Sequence, residues 1–382
     1  MKHKTIEIFL FIDALGWKIV NDHNFLTALL PYRRKISMQF GYSSSAIPTI
    51  LSGATPSRHG HLGLFRFAPE CSPFKTLSRL AWLFKPGFFW NKGRVRNHLS
   101  KLLKKLYGFT GYFQLYRMPI WKLGYMDYCE KKNLFIANGM EDIPNLHDVL
   151  TLKKVDFHIS DWHLKDSENF AAAEKAIEEG KQFLFVYTAS LDGLLHEKVG
   201  DPQAVAEKLN ALQKEIESLY KKGEEYAEKL HFTIISDHGM TPLAGTADIM
   251  GELEKCELLF GKDYGVCFDS TMARFYYLSE KAKGIIEELM KKFPGRFLTA
   301  DEEKKYGIYR EDRAFGDGIF LLEAGIQIVP SDMGGAPLKG MHGFDVEDEH
   351  SFAAILSNEP LPPETEKVAD YFNFMIKRAE TL

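Results

Sequence analysis

Ile6-Glu7-Ile8-Phe9-Leu10-Phe11-Ile12-Asp13 opens the chain with a short apolar run that ends on a carboxylate. A run of this length suits a strand buried on both faces of a parallel sheet. The preceding Met1-Lys2-His3-Lys4 lends it the outline of a secretory signal. Glu7 interrupts the stretch, Asp13 ends it and no small-residue cleavage site follows, so it reads as a first strand instead. Similar runs recur at Ile36–Phe40, Asn133–Ile136, Phe183–Tyr187 and Phe232–Ile235. Between them, Asn169–Glu179 and Pro202–Lys229 space their apolar residues as amphipathic helices do. Strands alternating with helices predict a largely parallel α/β sheet. Polar residues follow directly after three of the strands, where such sheets build their sites.

The 382 residues are enough for one large α/β domain with a sizeable insertion. A formal net charge of −4 excludes general nucleic-acid binding, so no duplex is expected as a partner. The cysteines, Cys71, Cys129, Cys256 and Cys267, lie far apart and form no CxxC pair. They read as reduced thiols, and with no segment of transmembrane length the expected location is the cytoplasm.

Residues 71–126 differ in kind from their surroundings. No Asp or Glu lies between Glu70 and Asp127, while Lys and Arg alternate with Trp, Phe and Tyr. The shift marks an inserted cap, leaving a core of 1–70, 127–268 and 329–382. A second excursion, 269–328, reads as α+β through Met272–Leu278, a helix Glu280–Lys292 and Ile319–Leu322, and can belong to the same cap.

The chemistry gathers at strand ends. Asp13 closes the first strand. Asp192 and His196 follow the strand Phe183–Tyr187 at a four-residue spacing, which places both on one helical face. Asp237-His238-Gly239 closes Phe232–Ile235, where the glycine lets neighbouring side chains turn to one centre. His342 sits in the glycine-flanked loop Gly340-Met341-His342-Gly343. Three Asp and three His suit two borderline cations such as zinc or manganese. Two such ions roughly 3.5–4 Å apart clamp the oxygens of an in-line phosphoryl displacement. The cluster Ser43-Ser44-Ser45, before a short helix, offers hydroxyls and free N–H groups at a helix N-terminus. Local physics does not choose among the three serines.

In this order the motifs resemble the alkaline phosphatase superfamily, within it the type I phosphodiesterase/nucleotide pyrophosphatase branch. The pieces are Phe11-Ile12-Asp13, the serine segment through Ser52-Gly53, Pro56-Ser57-Arg58-His59-Gly60, Asp192 with His196, Ser236-Asp237-His238-Gly239-Met240, and Gly340-Met341-His342-Gly343. The resemblance implies a mixed, mostly parallel central sheet with helices on both faces, an alkaline phosphatase-like core. It selects Ser43 as nucleophile, ten residues before Gly53. It implies one metal held by Asp192, His196 and His342, and another held by Asp13, Asp237 and His238. Backbone N–H groups near Ser44 would hold phosphate oxygens.

One departure bears on substrate. Nucleotide pyrophosphatases of this branch carry a phosphate-binding asparagine where this chain has Leu64, and His61 or Arg66 is expected to substitute. Sulfatases need a [CS]-x-P-x-R segment, which Ser43-Ser44-Ser45-Ala46-Ile47 is not. The expected function is a two-metal phosphodiesterase or pyrophosphatase acting through a phosphoseryl intermediate. The alternatives are a phosphomonoesterase and a non-catalytic relative, the latter disfavoured by a complete ligand set. The segment 75–122 has three readings: a cap with its own aromatic core, a lining for the site, or a contact with an anionic membrane. The expected substrate is a phosphate-ester small molecule or a lipid- or glycan-linked ester.

Overall fold

The opening run forms the strand His3–Ile12 in the interior of a six-stranded sheet. The computed structural model describes residues 2–84, 90 and 92–382. Strand order is Tyr32–Ile36, Ala353–Ser357, Ala227–Ile235, His3–Ile12, Phe183–Thr188, Phe157–Ile159. Ile8 lies opposite Phe232 on one side and Leu184 on the other, both in parallel pairing. Within this sheet Ala353–Ser357 alone runs against the rest. The sheet is mixed and mostly parallel, as the resemblance implied.

Side-chain alternation sorts the first strand into two cores. Ile6, Ile8, Leu10 and Ile12 pack under the helices Asp166–Glu178 and Pro202–Tyr226, against Phe170, Leu209 and Ile216. Phe9 and Phe11 face the other way, toward Ile50 and Leu51 of the helix Ser43–Ser52 and Tyr371 and Phe374 of the helix Asp370–Ala379. Each fully buried Phe or Ile contributes about 1.5–3 kcal/mol relative to exposure. Burial on both faces therefore fixes the register of the strand that delivers Asp13.

Two expected strands are placed differently. The strand near Ile36–Phe40 lies earlier, at Tyr32–Ile36. Met38 and Phe40 instead join a separate cluster with Leu62, Tyr306 and Ile308 as the chain turns toward Ser43. Asn133–Ile136 forms no strand. The Asn145 amide donates to the carbonyls of Leu134 (2.9 Å) and Ile136 (2.8 Å), which take a side-chain donor in place of a ladder partner.

A second, antiparallel sheet orders Tyr264–Phe268, Met272–Tyr277, Gly318–Leu322 and Gly295–Phe297. Its first strand starts before residue 269. Phe74, Leu103, Phe113, Leu115 and Met118 form a cluster with Phe65, Tyr128, Cys267 and Tyr276. The aromatic stretch thus packs against the strand pair Phe65–Phe67 and Met126–Tyr128 and the edge of the second sheet. Lys85, Phe88 and Phe89, part of the membrane reading, lie outside the described residues. Among the described residues no helix is long and apolar enough to cross a membrane.

The strand ends that carry polar motifs interlock through two glycines. A Cβ at Gly16 would sit 2.6 Å from the Gly239 Cα, and one at Gly239 would sit 2.0 Å from the His350 carbonyl oxygen. The Gly239 N–H donates to Ser351 O at 3.1 Å, so the backbone has little room to withdraw. Gly239→Ala is expected to destabilise the protein by roughly 1–3 kcal/mol through overpacking. Urea unfolding measures it, and an unchanged midpoint would show that the strand-end loops yield freely.

Candidate active site

Asp13 extends the first strand by one residue, its N–H donating to Thr188 O at 3.0 Å. The chain then turns through Ala14, whose φ of 61° is left-handed, an uncommon conformation for a residue with a Cβ. The Ala14 N–H donates to Asp237 Oδ1 at 3.2 Å and ties two strand ends together. Asp192 and His196 lie one turn apart on the helix Ser190–Lys198, which begins directly beyond Phe183–Thr188. His342 follows the short strand Gly340–Met341, which pairs with Thr241–Pro242 just after His238. Ser43 is the first residue of the helix Ser43–Ser52, where early N–H groups lack helical acceptors.

These six ligand candidates and Ser43 converge. Ser43 Oγ lies 3.0 Å from His238 Nε2, and Asp237 Oδ2 lies 3.1 Å from the same nitrogen. Asp13 Oδ1 is 3.6 Å from it, and the His342 ring stacks on the His238 ring with centroids 3.7 Å apart. Asp192 reaches His196 Nε2 through Oδ2 (3.3 Å) and His342 Nε2 through Oδ1 (3.7 Å). His196 Nδ1 donates to Gly340 O at 2.9 Å and His238 Nδ1 to Gly239 O at 2.8 Å. Because a carbonyl can only accept, both rings turn an Nε2 lone pair toward the centre, as metal-ligating imidazoles do.

The donor set fits divalent cations. Asp13 Oδ1, Asp192 Oδ1, Asp237 Oδ2 and His342 Nδ1 are buried without hydrogen-bond partners. Burial, reinforced by Asp237 and Asp192, pushes the Asp13 carboxyl well above its ordinary range. Burial and the neighbouring His238 hold the His342 imidazole well below its own. Burial also works against ionised Asp192, yet its hydrogen bond to His196 and the field of His342 hold its carboxyl low. Two groups bring their ligand atoms within 4.8 Å of one another: Asp192, His196 and His342, and Asp13, Asp192 and His238. Asp192 thus stands in both groups, whereas the resemblance assigned it to one metal. Asp237 meets the second group through its 3.1 Å approach to His238.

The site opens into a cleft of ≈ 630 Å³. Ser44 and Leu64 line it, but His61 and Arg66 do not. The two residues expected to take the place of the phosphate-binding asparagine thus lie outside the cleft lining. Arg66 stands across from Asp127 in a strand pair and donates to its Oδ2 at 2.9 Å, facing a different depression that His61 also lines. No Lys or Arg lines the cleft among the described residues, whereas Asp13, Glu130, Asp192, Glu197 and Asp269 do. Tyr112, Tyr116, Phe135, Trp162 and Tyr187 supply aromatic walls.

Several of these residues escaped sequence reasoning. Tyr42, directly before Ser43, accepts the Thr271 N–H at 3.0 Å, and Thr271 Oγ1 donates to Gly343 O at 2.6 Å. A Cβ at Gly343 would meet the Tyr42 ring at 2.6 Å, which accounts for the glycine after His342. Glu130 accepts the Tyr112 N–H at 3.2 Å, and burial pushes its carboxyl up to about 8. Its only sequence signal was acidity just beyond a stretch without acids.

The model of the type I phosphodiesterase/nucleotide pyrophosphatase family matches residues 8–345. No curated protein matches the sequence. Murine ectonucleotide pyrophosphatase/phosphodiesterase 5 aligns with a TM-score of 0.69 at 11% identity, covering 98% of this chain and 95% of that one. An inactive form of the murine protein in complex with AMP gives 0.69 at 12%, covering 99% and 95%. The human counterpart gives 0.67 at 13%, covering 98% and 95%. At these identities the likeness shows the fold.

Two outcomes are expected from this geometry. Asp192→Asn should lower bound metal at both positions, whereas His196→Ala should lower it at one. Metal analysis after dialysis distinguishes them, and equal losses would mean that Asp192 serves a single ion. Separately, Glu130 binds a proton in the folded state between its ordinary value and about 8, where the unfolded chain does not. Folding stability should therefore decline as pH rises from about 5 to 8. Glu130→Gln should flatten that decline in thermal unfolding. An identical slope in both proteins would assign the decline elsewhere.

Proposed function

The chain belongs to the type I phosphodiesterase/nucleotide pyrophosphatase family, and from that membership we propose that it hydrolyses a phosphodiester through Ser43 with the help of two divalent cations. The observation that carries the proposal is the position of Ser43 Oγ, at a helix start and 3.0 Å from His238 within two Asp/His groups. Zinc suits these ligands, and manganese is the second choice.

Asp192, His196 and His342 would hold one cation, and Asp13, Asp237 and His238 the other, with Asp192 placed to reach both. Bound there, the cations would lower the pKa of an adjacent oxygen and neutralise phosphoryl charge. Ser43 Oγ loses its proton and attacks phosphorus in line; the bond to the leaving alcohol oxygen breaks, that oxygen leaves as the alcohol with one proton in place of the one Ser43 lost, and a phosphoseryl group that keeps the other alcohol remains. Water then attacks the same phosphorus, the bond to Oγ breaks and Ser43 regains its proton. The N–H groups of Ser43 and Ser44, in the first helical turn, are placed to receive phosphoryl oxygens.

Charge balance favours a diester over a monoester or pyrophosphate. Two divalent ions would set +4 against the carboxylates of Asp13, Asp192 and Asp237, a surplus of one. A singly charged diester matches that surplus. A doubly charged ester exceeds it, and no Lys or Arg lines the cleft among the described residues to compensate. Leu64, where the family's phosphate-binding asparagine would stand, is the feature that keeps the monoester alternative open. Trp162, Phe135 and Tyr187 offer apolar surface for a bulky alcohol, including a lipid- or glycan-linked one.

The same reading includes peripheral contact of 75–122 with an anionic membrane. Trp82, Leu102 and Leu106 are 68%, 63% and 70% exposed. The two leucines share the helix Gly93–Leu106 with exposed Lys101 and Lys105.

Reconstituted with zinc or manganese, the protein should hydrolyse bis-p-nitrophenyl phosphate faster than p-nitrophenyl phosphate. The reverse order would favour a phosphomonoesterase. Ser43→Ala should lower turnover by roughly three orders of magnitude or more, with metal content unchanged. Full activity in that variant sinks the nucleophile assignment. At low salt the protein should pellet with anionic vesicles and not with zwitterionic ones. Failure to pellet removes the membrane contact and leaves the hydrolase reading intact.

A further inference from the structure

Beside the strand pair Phe65–Phe67 and Met126–Tyr128 lies a second depression of ≈ 210 Å³. Among the described residues it shares no lining residue with the Ser43 cleft. We propose that this depression is a binding site for inorganic phosphate, separate from the reaction centre.

Five cationic side chains meet there from four segments: Arg58, Arg66, Lys131, Lys132 and Arg310. Three carboxylates, Asp127, Glu141 and Asp142, line the same space. Five against three leaves two positive charges, or one once Asp312 beside Arg310 is counted, in a chain whose net charge is −4. The buried carboxylate of Asp127 is already divided between Arg66 Nη2 (2.9 Å) and Lys131 Nζ (2.7 Å). Glu141 and Asp142 are exposed. Arg310 is held by Ser57 O (2.8 Å) and by Asp312, which fixes its guanidinium in place. Among the described residues Arg58 and Lys132 enter no ion pair and are exposed.

A second group registers the field. His61 lines the depression, and its Nδ1 is buried without a hydrogen-bond partner. Burial first, then Arg66 and Lys131, push its imidazole down to about 4. The ring is therefore neutral, and neighbouring cations oppose its protonation. An anion is the species that relieves such a field.

Size and donor geometry select the anion. The volume falls below the ~300 Å³ at which sites for larger organic ligands begin, and guanidinium forks match oxyanion geometry. The depression also adjoins the nucleophile helix, because His59 Nε2 hydrogen-bonds Thr49 Oγ1 at 3.0 Å and Thr49 lies within Ser43–Ser52. The reaction centre, lined among the described residues by five carboxylates and no Lys or Arg, is the opposite electrostatic environment.

Calorimetric titration of inorganic phosphate into the metal-loaded enzyme, at constant ionic strength in chloride, tests the proposal. Occupancy of the Ser43 cleft is read separately, as competitive inhibition of bis-p-nitrophenyl phosphate hydrolysis. The expected result is one phosphate outside the competitive site. Arg310→Gln combined with Lys132→Gln should weaken that phosphate at least tenfold, with kcat and the competitive inhibition constant unchanged. Arg58→Gln alone should weaken it at least threefold and serves if the double variant does not fold. Absence of a non-competitive phosphate, or its survival in these variants, overturns the proposal. Absence of hydrolysis with the variant-sensitive phosphate still bound would remove the catalytic reading and leave this one standing.

Discussion

The mutual repulsion of Asp13, Asp192 and Asp237 is the constraint on which the rest of the structure turns. Taking a carboxylate out of water costs several kcal/mol even after relaxation, and here Asp13 carries the additional field of both neighbours. The fold meets part of that cost locally. Asp237 Oδ1 accepts the Ala14 and His238 N–H groups, and Asp192 leans on His196. The oxygens left over are the ones that face the centre. A divalent cation set is the chemistry that turns such an arrangement from a liability into a site.

Holding these groups in place falls to an apolar sandwich far larger than the site. The first strand is locked on both faces, by aliphatic side chains under two helices and by Phe9 and Phe11 under others. Each of its parallel neighbours ends beside it, so Asp13, the Asp192 helix and the Asp237–His238 turn emerge at one edge. The close approach of Gly16 and Gly239 then fixes the loops. Tyr42, joined to Thr271 and through it to Gly343, couples the helix Ser43–Ser52 to the loop of His342.

Charge is divided over the surface in a way that net charge conceals. The cleft beside Ser43 is acidic and aromatic, whereas the depression around Arg66 and Arg310 is cationic, and the strand pair Phe65–Phe67 and Met126–Tyr128 gives Arg66, Asp127 and Tyr128 to the second. A phosphate ester with one negative charge and an apolar alcohol suits the first. A small free oxyanion suits the second. The two environments show how a chain with a net charge of −4 can still present a cationic concavity beside an acidic one.

What the sequence determined by itself was the sheet and the Asp and His residues that gather at its strand ends. Ile6–Ile12, Phe183–Tyr187 and Phe232–Ile235 read as buried strands because continuous apolar runs of that length have no other stable place, and Asp13, Asp192 and Asp237 were legible because they sit at or just beyond those runs. Ser43 needed the family pattern, since three adjacent serines are locally equivalent. Tertiary structure alone decided where long-range pairs form. Arg66 looked available in sequence but is claimed by Asp127, 61 residues away. Asp192 looked like the ligand of one metal, yet its carboxylate stands in both ligand groups, beside His196 and His342 and beside Asp13 and His238. Glu130 and Tyr42 carry no local signature at all, because burial and a field from distant residues exist only once the chain has closed on itself.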